Sequence, residues 1–131
     1  MNNIVFVHLE HNIGKGANIK EGTITVSHHD NKVYRLTINR FLGKELIESD
    51  FLYLRLAINT LTGQIYLVFT KEYMEDSLLA KHDKNGFRFQ NKSLVMDLMR
   101  RMNLQRNATT TLKISENLSN FPTQKTYEIL R

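Results

Sequence analysis

The chain has 131 residues, 41% of them hydrophobic and 24% charged, which is typical of one globular domain with a single core. It contains no cysteine, which excludes disulfides and thiolate metal sites, and apolar runs such as residues 65–69 are too short to cross a membrane. The first residues lack the charged and apolar regions of a signal peptide, so we expect a cytoplasmic protein.

Positive charge is concentrated in the C-terminal part of the chain. Residues 1–83 carry nine Lys or Arg and ten Asp or Glu, a net charge of −1, whereas residues 84–131 carry nine and three, a net charge of +6. A field of this kind favours an anionic partner, most often nucleic acid. It is also compatible with a solubilising surface that binds nothing.

The first half of the chain alternates β-branched or aromatic residues with polar ones, the pattern of half-buried strands. It predicts strands at residues 4–9, 22–27, 33–38, 52–59 and 64–70. Asp30-Asn31 suits the turn of one hairpin, and Gly63 can take the positive φ of a second. Between the hairpins, apolar residues at helical spacing predict a helix at residues 40–47 with Asn39 as its N-cap.

The polar stretch 71–85 is predicted as a linker, with a helical turn around residues 73–80. The elements predicted after it are a strand at residues 87–90, a helix at 93–103 and strands at 109–114 and 126–130. Ser93 is the predicted N-cap of this helix. The only proline, Pro122, is predicted to lie in the loop between the last two strands. Proline has no backbone N–H and cannot donate to a central ladder.

The order strand, helix, strand, strand therefore occurs twice. We predict a single α+β domain of antiparallel strands with two short helices, built from a duplicated strand–helix–strand–strand unit. Its parts are N-terminal strands at residues 1–31, a first repeat at 32–70, a linker at 71–85 and a second repeat at 86–131. Chance similarity is the alternative, because the two repeats share mainly the order of their elements.

Four of the five histidines, His8, His11, His28 and His29, lie within the first thirty residues. Imidazoles beside a carboxylate can hold zinc, but zinc needs three or four converging ligands. Successive residues of a strand point to opposite faces, so His28 and His29 cannot both bind one ion. We therefore predict structural or exposed histidines and no metal.

No catalytic constellation is present in the sequence. Gly14-Lys15-Gly16 lacks the spacing of a phosphate-binding loop, and no serine has the setting of a nucleophile. Acidic pairs such as Glu45/Glu48 show no sign of the burial that separates the pKa values of a working acid–base pair. We predict that the protein is not an enzyme and uses no cofactor.

The helix predicted at residues 93–103 carries an apolar stripe that includes two methionines, Met99 and Met102. Such a stripe packs into a core or serves as an adaptable surface for a partner. Arg100 and Arg101 lie near the C-terminal end of the helix, where positive charge also complements the helix dipole. Together with nearby basic residues, they are candidates for contact with phosphate groups.

Residues 38–50, followed by the strands at 52–58 and 64–69, resemble the AbrB/SpoVT swapped-hairpin family. Leu46-Ile-Glu-Ser-Asp50 occupies the place of the family's Leu-Gly-x-x-x-Gly-Asp-like turn, with Ser49 where glycine is usual. The tandem, MraZ-like form of the family would account for two copies in one chain. The resemblance covers about half of the chain and implies a DNA-binding module. The basic residues that it implies as contacts are Arg40, Lys44 and Arg55 in the first copy and Lys92 and Lys113 in the second.

Our leading hypothesis is a small DNA-binding, transcription-related protein. Its candidate nucleic-acid-binding residues are Arg40, Lys44, Arg88, Lys92, Arg100, Arg101, Arg106 and Lys113. The alternative is a protein-interaction or structural module without catalytic activity, of the kind carried by mobile elements, that uses exposed strand edges or the methionine stripe. Both hypotheses are compatible with a homo-oligomer, which no residue pattern encodes, and neither involves a membrane.

Overall fold

A computed structural model describes residues 22–84, 86–117 and 124–130. The strand predicted at residues 4–9, the histidines His8 and His11, the Gly14-Lys15-Gly16 sequence and Pro122 lie outside the described residues. The elements are β1 (Thr23–His29), β2 (Val33–Ile38), α1 (Arg40–Glu48), β3 (Tyr53–Ile58), β4 (Ile65–Thr70), β5 (Leu78–Leu79), β6 (Lys81–Asp83), β7 (Gly86–Gln90), α2 (Lys92–Met102), β8 (Thr109–Asn117) and β9 (Gln124–Ile129).

All of these strands belong to one antiparallel sheet with the order β5-β3-β4-β9-β8-β1-β2-β7-β6. The two end strands, β5 and β6, are consecutive in the chain and are separated only by Ala80. The backbone N–H of Ala80 donates a 2.9 Å hydrogen bond to the carbonyl of Leu52. The sheet is therefore nearly closed. Among the described residues, the predicted α+β class with antiparallel strands and two helices is confirmed, although strands dominate.

The range predicted as a linker is residues 71–85, and its described part, residues 71–84, contains β5 and β6 and no helix. β5 pairs with β3, and β6 pairs with β7, so this segment joins the two ends of the sheet. The six residues 78–83, which we call the β5–β6 segment, carry no clear alternation of apolar and polar side chains. Their extended conformation therefore comes from partners that are distant in sequence.

The strand pairing has a two-fold pattern. β1 pairs with β2 and β8, and the β5–β6 segment pairs in the same way with β7 and β3. β2 pairs with β7, and β4 pairs with β9. The strand pair β3–β4 corresponds to the strand pair β8–β9. Exchanging the elements from β1 to β4 with those from β5 to β9 therefore leaves the strand order unchanged.

The nearly closed sheet encloses the core. Along its strands, residues that face inward into the core alternate with residues that face outward. Cross-strand pairs such as Ile24 with Ile38 are buried on this side, while their neighbours face outward. Phe69 lies at the centre and its ring contacts the rings of Phe87, Phe89 and Tyr127, with centroids 5.8 to 6.5 Å apart. These aromatic residues come from β4, β7 and β9, so the core joins both parts of the chain.

The two helices add their apolar sides to the same core. α1 packs against β7, where a Cβ added at Gly43 would lie 2.9 Å from the Cβ of Phe87, so only glycine permits this approach. α2 packs against β2 through a buried stripe that includes Met99. Because α1 follows β2 and α2 follows the antiparallel β7, the helices lie at opposite ends of this strand pair.

The predicted N-cap of α2, Ser93, is wrong, because the helix begins at Lys92 and Asn91 caps it. The Asn91 side chain accepts a 2.8 Å hydrogen bond from the backbone N–H of Leu94. Asn39 caps α1 as predicted, with its side chain accepting from the backbone N–H of Phe41. Both side-chain oxygens satisfy a backbone donor that the helix itself leaves without a partner.

Replacement of Asn91 by alanine is expected to lower the free energy of unfolding by about 1 kcal/mol, because it removes this cap. Ser93→Ala is the matched control, since Ser93 is exposed within the first turn and caps nothing. Urea denaturation of both variants measures the difference. Equal midpoints for the two variants would show that Asn91 does not stabilise the start of α2.

The outward face of β4 is buried as well, around Tyr66 and Val68. The Tyr66 hydroxyl donates to Oε1 of Gln64, whose Nε2 donates to Oε2 of Glu128. Burial, and secondarily the nearby charge of Glu128, raise the pKa of Tyr66 above its ordinary value of 10.0, against a lowering by its hydrogen bond with Asn59. The folded chain thus holds the Tyr66 proton more tightly than the unfolded chain does.

It follows that the stabilising contribution of neutral Tyr66 is present below pH 10 and is lost as the pH rises through the folded-state pKa. We expect Tyr66→Phe to lose less stability between pH 8 and pH 11 than the wild-type protein does. Urea denaturation at both pH values measures this, with Tyr73→Phe as a control at an exposed tyrosine. An alkaline loss as large in Tyr66→Phe as in the wild type would contradict the expectation.

Candidate nucleic-acid interface

The outward side of the strands β8, β1, β2 and β7 is polar. Its central row, set by the strand register, consists of Thr111, Thr25, Thr37 and Arg88. These residues alternate along their strands with the buried residues of the core, which fixes their outward direction. The row therefore presents three hydroxyl groups and one guanidinium on a single face.

A groove of about 660 Å³ lies where this face meets α1. Thr23, Thr25 and Thr37 line it from the sheet, and Arg40 and Lys44 line it from α1. The turn between β6 and β7 contributes Asp83 and Lys84. We call this site the threonine groove.

The charge around the threonine groove is positive. Among the described residues that line it, Arg40, Lys44 and Lys84 are cationic, and Glu48 and Asp83 are anionic. Asp83 is also bound by Arg88, whose guanidinium donates to both carboxylate oxygens at 2.9 and 3.2 Å. The hydrogen bond to Asp83 raises the pKa of Arg88, and this pairing also lowers the charge that Arg88 offers to a ligand.

Four of the eight sequence-predicted residues surround the threonine groove. Arg40 and Lys44 line it directly, and Arg88 is the cross-strand partner of Thr37. Lys113 faces outward from β8 directly opposite Thr23. The structure thus gathers cations from α1, β7 and β8 around one polar depression, although they are far apart in sequence.

The other four predicted residues belong to α2 and the loop after it, at the opposite end of the β2–β7 pair. Arg100 and Arg101 both donate to the carboxylate of Asp97, which lowers the charge they offer to a ligand. Arg106 is exposed in the loop before β8. Lys92 begins α2, with its Nζ 5.8 Å from the ring centroid of Tyr34. The predicted set is therefore divided between two places.

Two further sequence-based candidates lie away from the groove. Arg55 is half-buried on the outward side of β3, opposite the buried Val68, which puts its DNA-contacting role in doubt. His28 is buried and its Nδ1 accepts from the backbone N–H of Asn107, whereas His29 is exposed on the other face. Among the residues that the structure describes, no three His, Asp or Glu side chains group as metal ligands do.

Sequence reasoning missed Lys84 and the threonines of the groove. The predicted linker includes Lys84, and the strand pattern identifies Thr23, Thr25 and Thr37 only as polar strand positions. The alternation at residues 22–27 predicts that Thr23 and Thr25 share a face, and this pattern could have marked them. Their association with α1 depends on the fold.

No family model, curated protein or solved structure matches the chain. The resemblance to the AbrB/SpoVT family therefore stays a prediction. Within the described part of the chain, no helix is both long and apolar enough to span a membrane.

Proposed function

We propose that this chain is a small DNA-binding protein with a transcription-related role, and that DNA contacts the threonine groove and the adjoining outward face. The observation that supports this most is the convergence of Arg40, Lys44, Arg88 and Lys113 around one groove. Their spacing in sequence does not require them to meet. A solubilising charge pattern has no need of such convergence.

The chemistry of the groove suits a phosphate backbone. Lysine and arginine neutralise phosphate charge, and threonine hydroxyls donate hydrogen bonds to phosphate oxygens. Thr23, Thr25 and Thr37 are half-buried, so their hydroxyls are held by the sheet while the exposed Arg40 and Lys44 can adjust to a ligand. Contacts of this kind position DNA without selecting a base sequence.

Internal duplication is part of the proposal. The two-fold pattern of strand pairing supports it, as do the similar ends of the two helices. Asp50 and Asn103 follow α1 and α2 with φ values of 62° and 58°, and the backbone N–H of the next residue bonds back to Leu46 and Met99, respectively. Each repeat would then include the strand before it, giving the unit strand–strand–helix–strand–strand. A tandem, MraZ-like arrangement is the form that the sequence resemblance implies.

The test is binding of a fluorescent duplex of about 20 base pairs, followed by anisotropy between about 50 and 200 mM salt. Four phosphate contacts correspond to a slope of about −3 to −4 in log K against log salt. A flat isotherm at the lowest salt would remove the proposal. Binding without salt dependence would also contradict it, because the contacts proposed are ionic.

Two features supported the alternative, a protein-interaction or structural module, and the described residues show little of either. Met99 is buried and Met102 packs against the core, so the methionine stripe does not form a free surface. The end strands of the sheet have only two and three residues and follow one another directly. They offer little edge for pairing with another chain.

A further inference from the structure

A second, smaller pocket of about 230 Å³ lies at the other end of the β2–β7 pair. It is formed by the turn before β2, the start of β2 and the junction of β7 with α2. Its polar and aromatic lining consists of Lys32, Tyr34, Arg35, Gln90, Asn91 and Lys92. Among the described residues that line it, three are cationic and none carries a carboxylate, so the pocket is more uniformly positive than the threonine groove. We call it the α2 pocket.

Arg35 is the central residue of the α2 pocket. It faces outward on β2 between Ser27 of β1 and Gln90 of β7. Its Nε is buried and has no hydrogen-bond partner, and none of the described residues forms an ion pair with its guanidinium. A buried donor without an acceptor is unfavourable, and a charged donor is more so. An anion in the pocket would pair with the terminal N–H groups of this guanidinium, and a phosphate group suits the planar fork of arginine.

The α2 pocket repeats three of the cationic positions in and around the threonine groove. Arg35 is the third residue of β2, as Arg88 is the third residue of β7. Lys92 begins α2 after the cap Asn91, as Arg40 begins α1 after the cap Asn39. Lys32 and Lys84 lie in the turns that precede these two strands. The two sites thus correspond under the same exchange that relates the strand pairings.

We infer that the α2 pocket is a second phosphate-binding site, equivalent to the threonine groove, and that it holds a phosphodiester group of the same nucleic acid. This inference rests on the proposed function. Arg35 and Arg88 are diagonal neighbours on adjacent strands, which places their Cα atoms about 7–8 Å apart. A nucleic-acid backbone crossing the β2–β7 face therefore reaches both arginines, and contact with DNA is bipartite.

The decisive variant is Arg35→Gln/Lys92→Gln, which removes two charges and leaves the Asn91 cap in place. The control, Arg100→Gln/Arg101→Gln, removes two charges from the other end of α2. We expect the first variant to reduce DNA affinity about tenfold or more at about 100 mM salt and to reduce the salt slope by about 2, with a smaller change in the control. Far-UV circular dichroism checks that both variants are folded.

Wild-type affinity and slope in Arg35→Gln/Lys92→Gln would overturn the inference and leave the proposed function intact. Equal losses in the variant and the control would also overturn it, because general charge would then explain both. If the wild-type protein binds no DNA, a titration with pyrophosphate followed by NMR tests separately whether the α2 pocket binds phosphate groups. Amide shifts at residues 32–35 and 91–92 that vanish in the variant would support a site for free phosphates, and an unchanged spectrum would exclude the pocket as an anion site.

Discussion

Phe69→Ala is expected to lower the free energy of unfolding by about 3–5 kcal/mol. The Phe69 side chain is fully buried, and its ring meets those of Phe87, Phe89 and Tyr127. The truncation loses the transfer free energy of the ring and leaves a cavity among residues from three strands. Because these strands belong to different parts of the chain, the core has little freedom to collapse into the space.

Urea denaturation followed by circular dichroism measures this loss. The control is Leu61→Ala, in the exposed turn between β3 and β4, where we expect a change within about 0.5 kcal/mol. Small domains have a total stability of about 5–15 kcal/mol, so Phe69→Ala can also be largely unfolded without denaturant. A loss below about 1 kcal/mol would show that Phe69 is not at the centre of the core.

The second large effect concerns DNA. We expect Arg40→Gln/Lys44→Gln to weaken binding about tenfold or more at about 100 mM salt and to reduce the salt slope by about 2. Both side chains are exposed on α1 and line the threonine groove, so the substitutions remove phosphate contacts without disturbing the core. Stability should change by less than about 0.5 kcal/mol.

Arg100→Gln/Arg101→Gln again serves as the control with the same change in net charge. These two arginines already share the carboxylate of Asp97, and we expect a smaller loss of affinity from their removal. If the control loses as much as Arg40→Gln/Lys44→Gln, attraction by net charge is the better explanation. The threonine groove would then have no special role.

Local sequence patterns predicted most of the elements, because the positions of apolar residues in the strands match the positions that the fold buries. Alternation located β1 and β2, whose inward residues are buried, and a continuous apolar run located β4, which is buried on both faces. The β5–β6 segment escaped prediction because its conformation depends on long-range partners. The cap of α2 was placed at Ser93 because Asn91 and Ser93 are both favourable cap residues, and only the start of the helix distinguishes them.

The candidate site was predictable only in part, for a related reason. The family resemblance selected Arg40, Lys44 and Lys113 and the basic C-terminal part selected Arg88, but their convergence depends on the register of three strand pairs. Arg35 lies in the part of the chain with no excess of positive charge, and it is not among the contacts that the resemblance implies. What marks Arg35 is the lack of an acceptor for its buried Nε, which sequence does not reveal.

The near-closure of the sheet has a consequence for the order in which the protein folds. Of the eight strand pairings in the described residues, four join the elements β1–β4 to the elements β5–β9, and they connect distant parts of the sequence. The two halves must therefore associate before either has a complete core. The entropic cost of bringing these distant segments together consequently arises early in folding. We expect refolding in milliseconds to seconds, the range of domains dominated by non-local pairing, which stopped-flow fluorescence of the tyrosines can measure. Refolding in microseconds would mean that the hairpins acquire most of their stability before the halves associate.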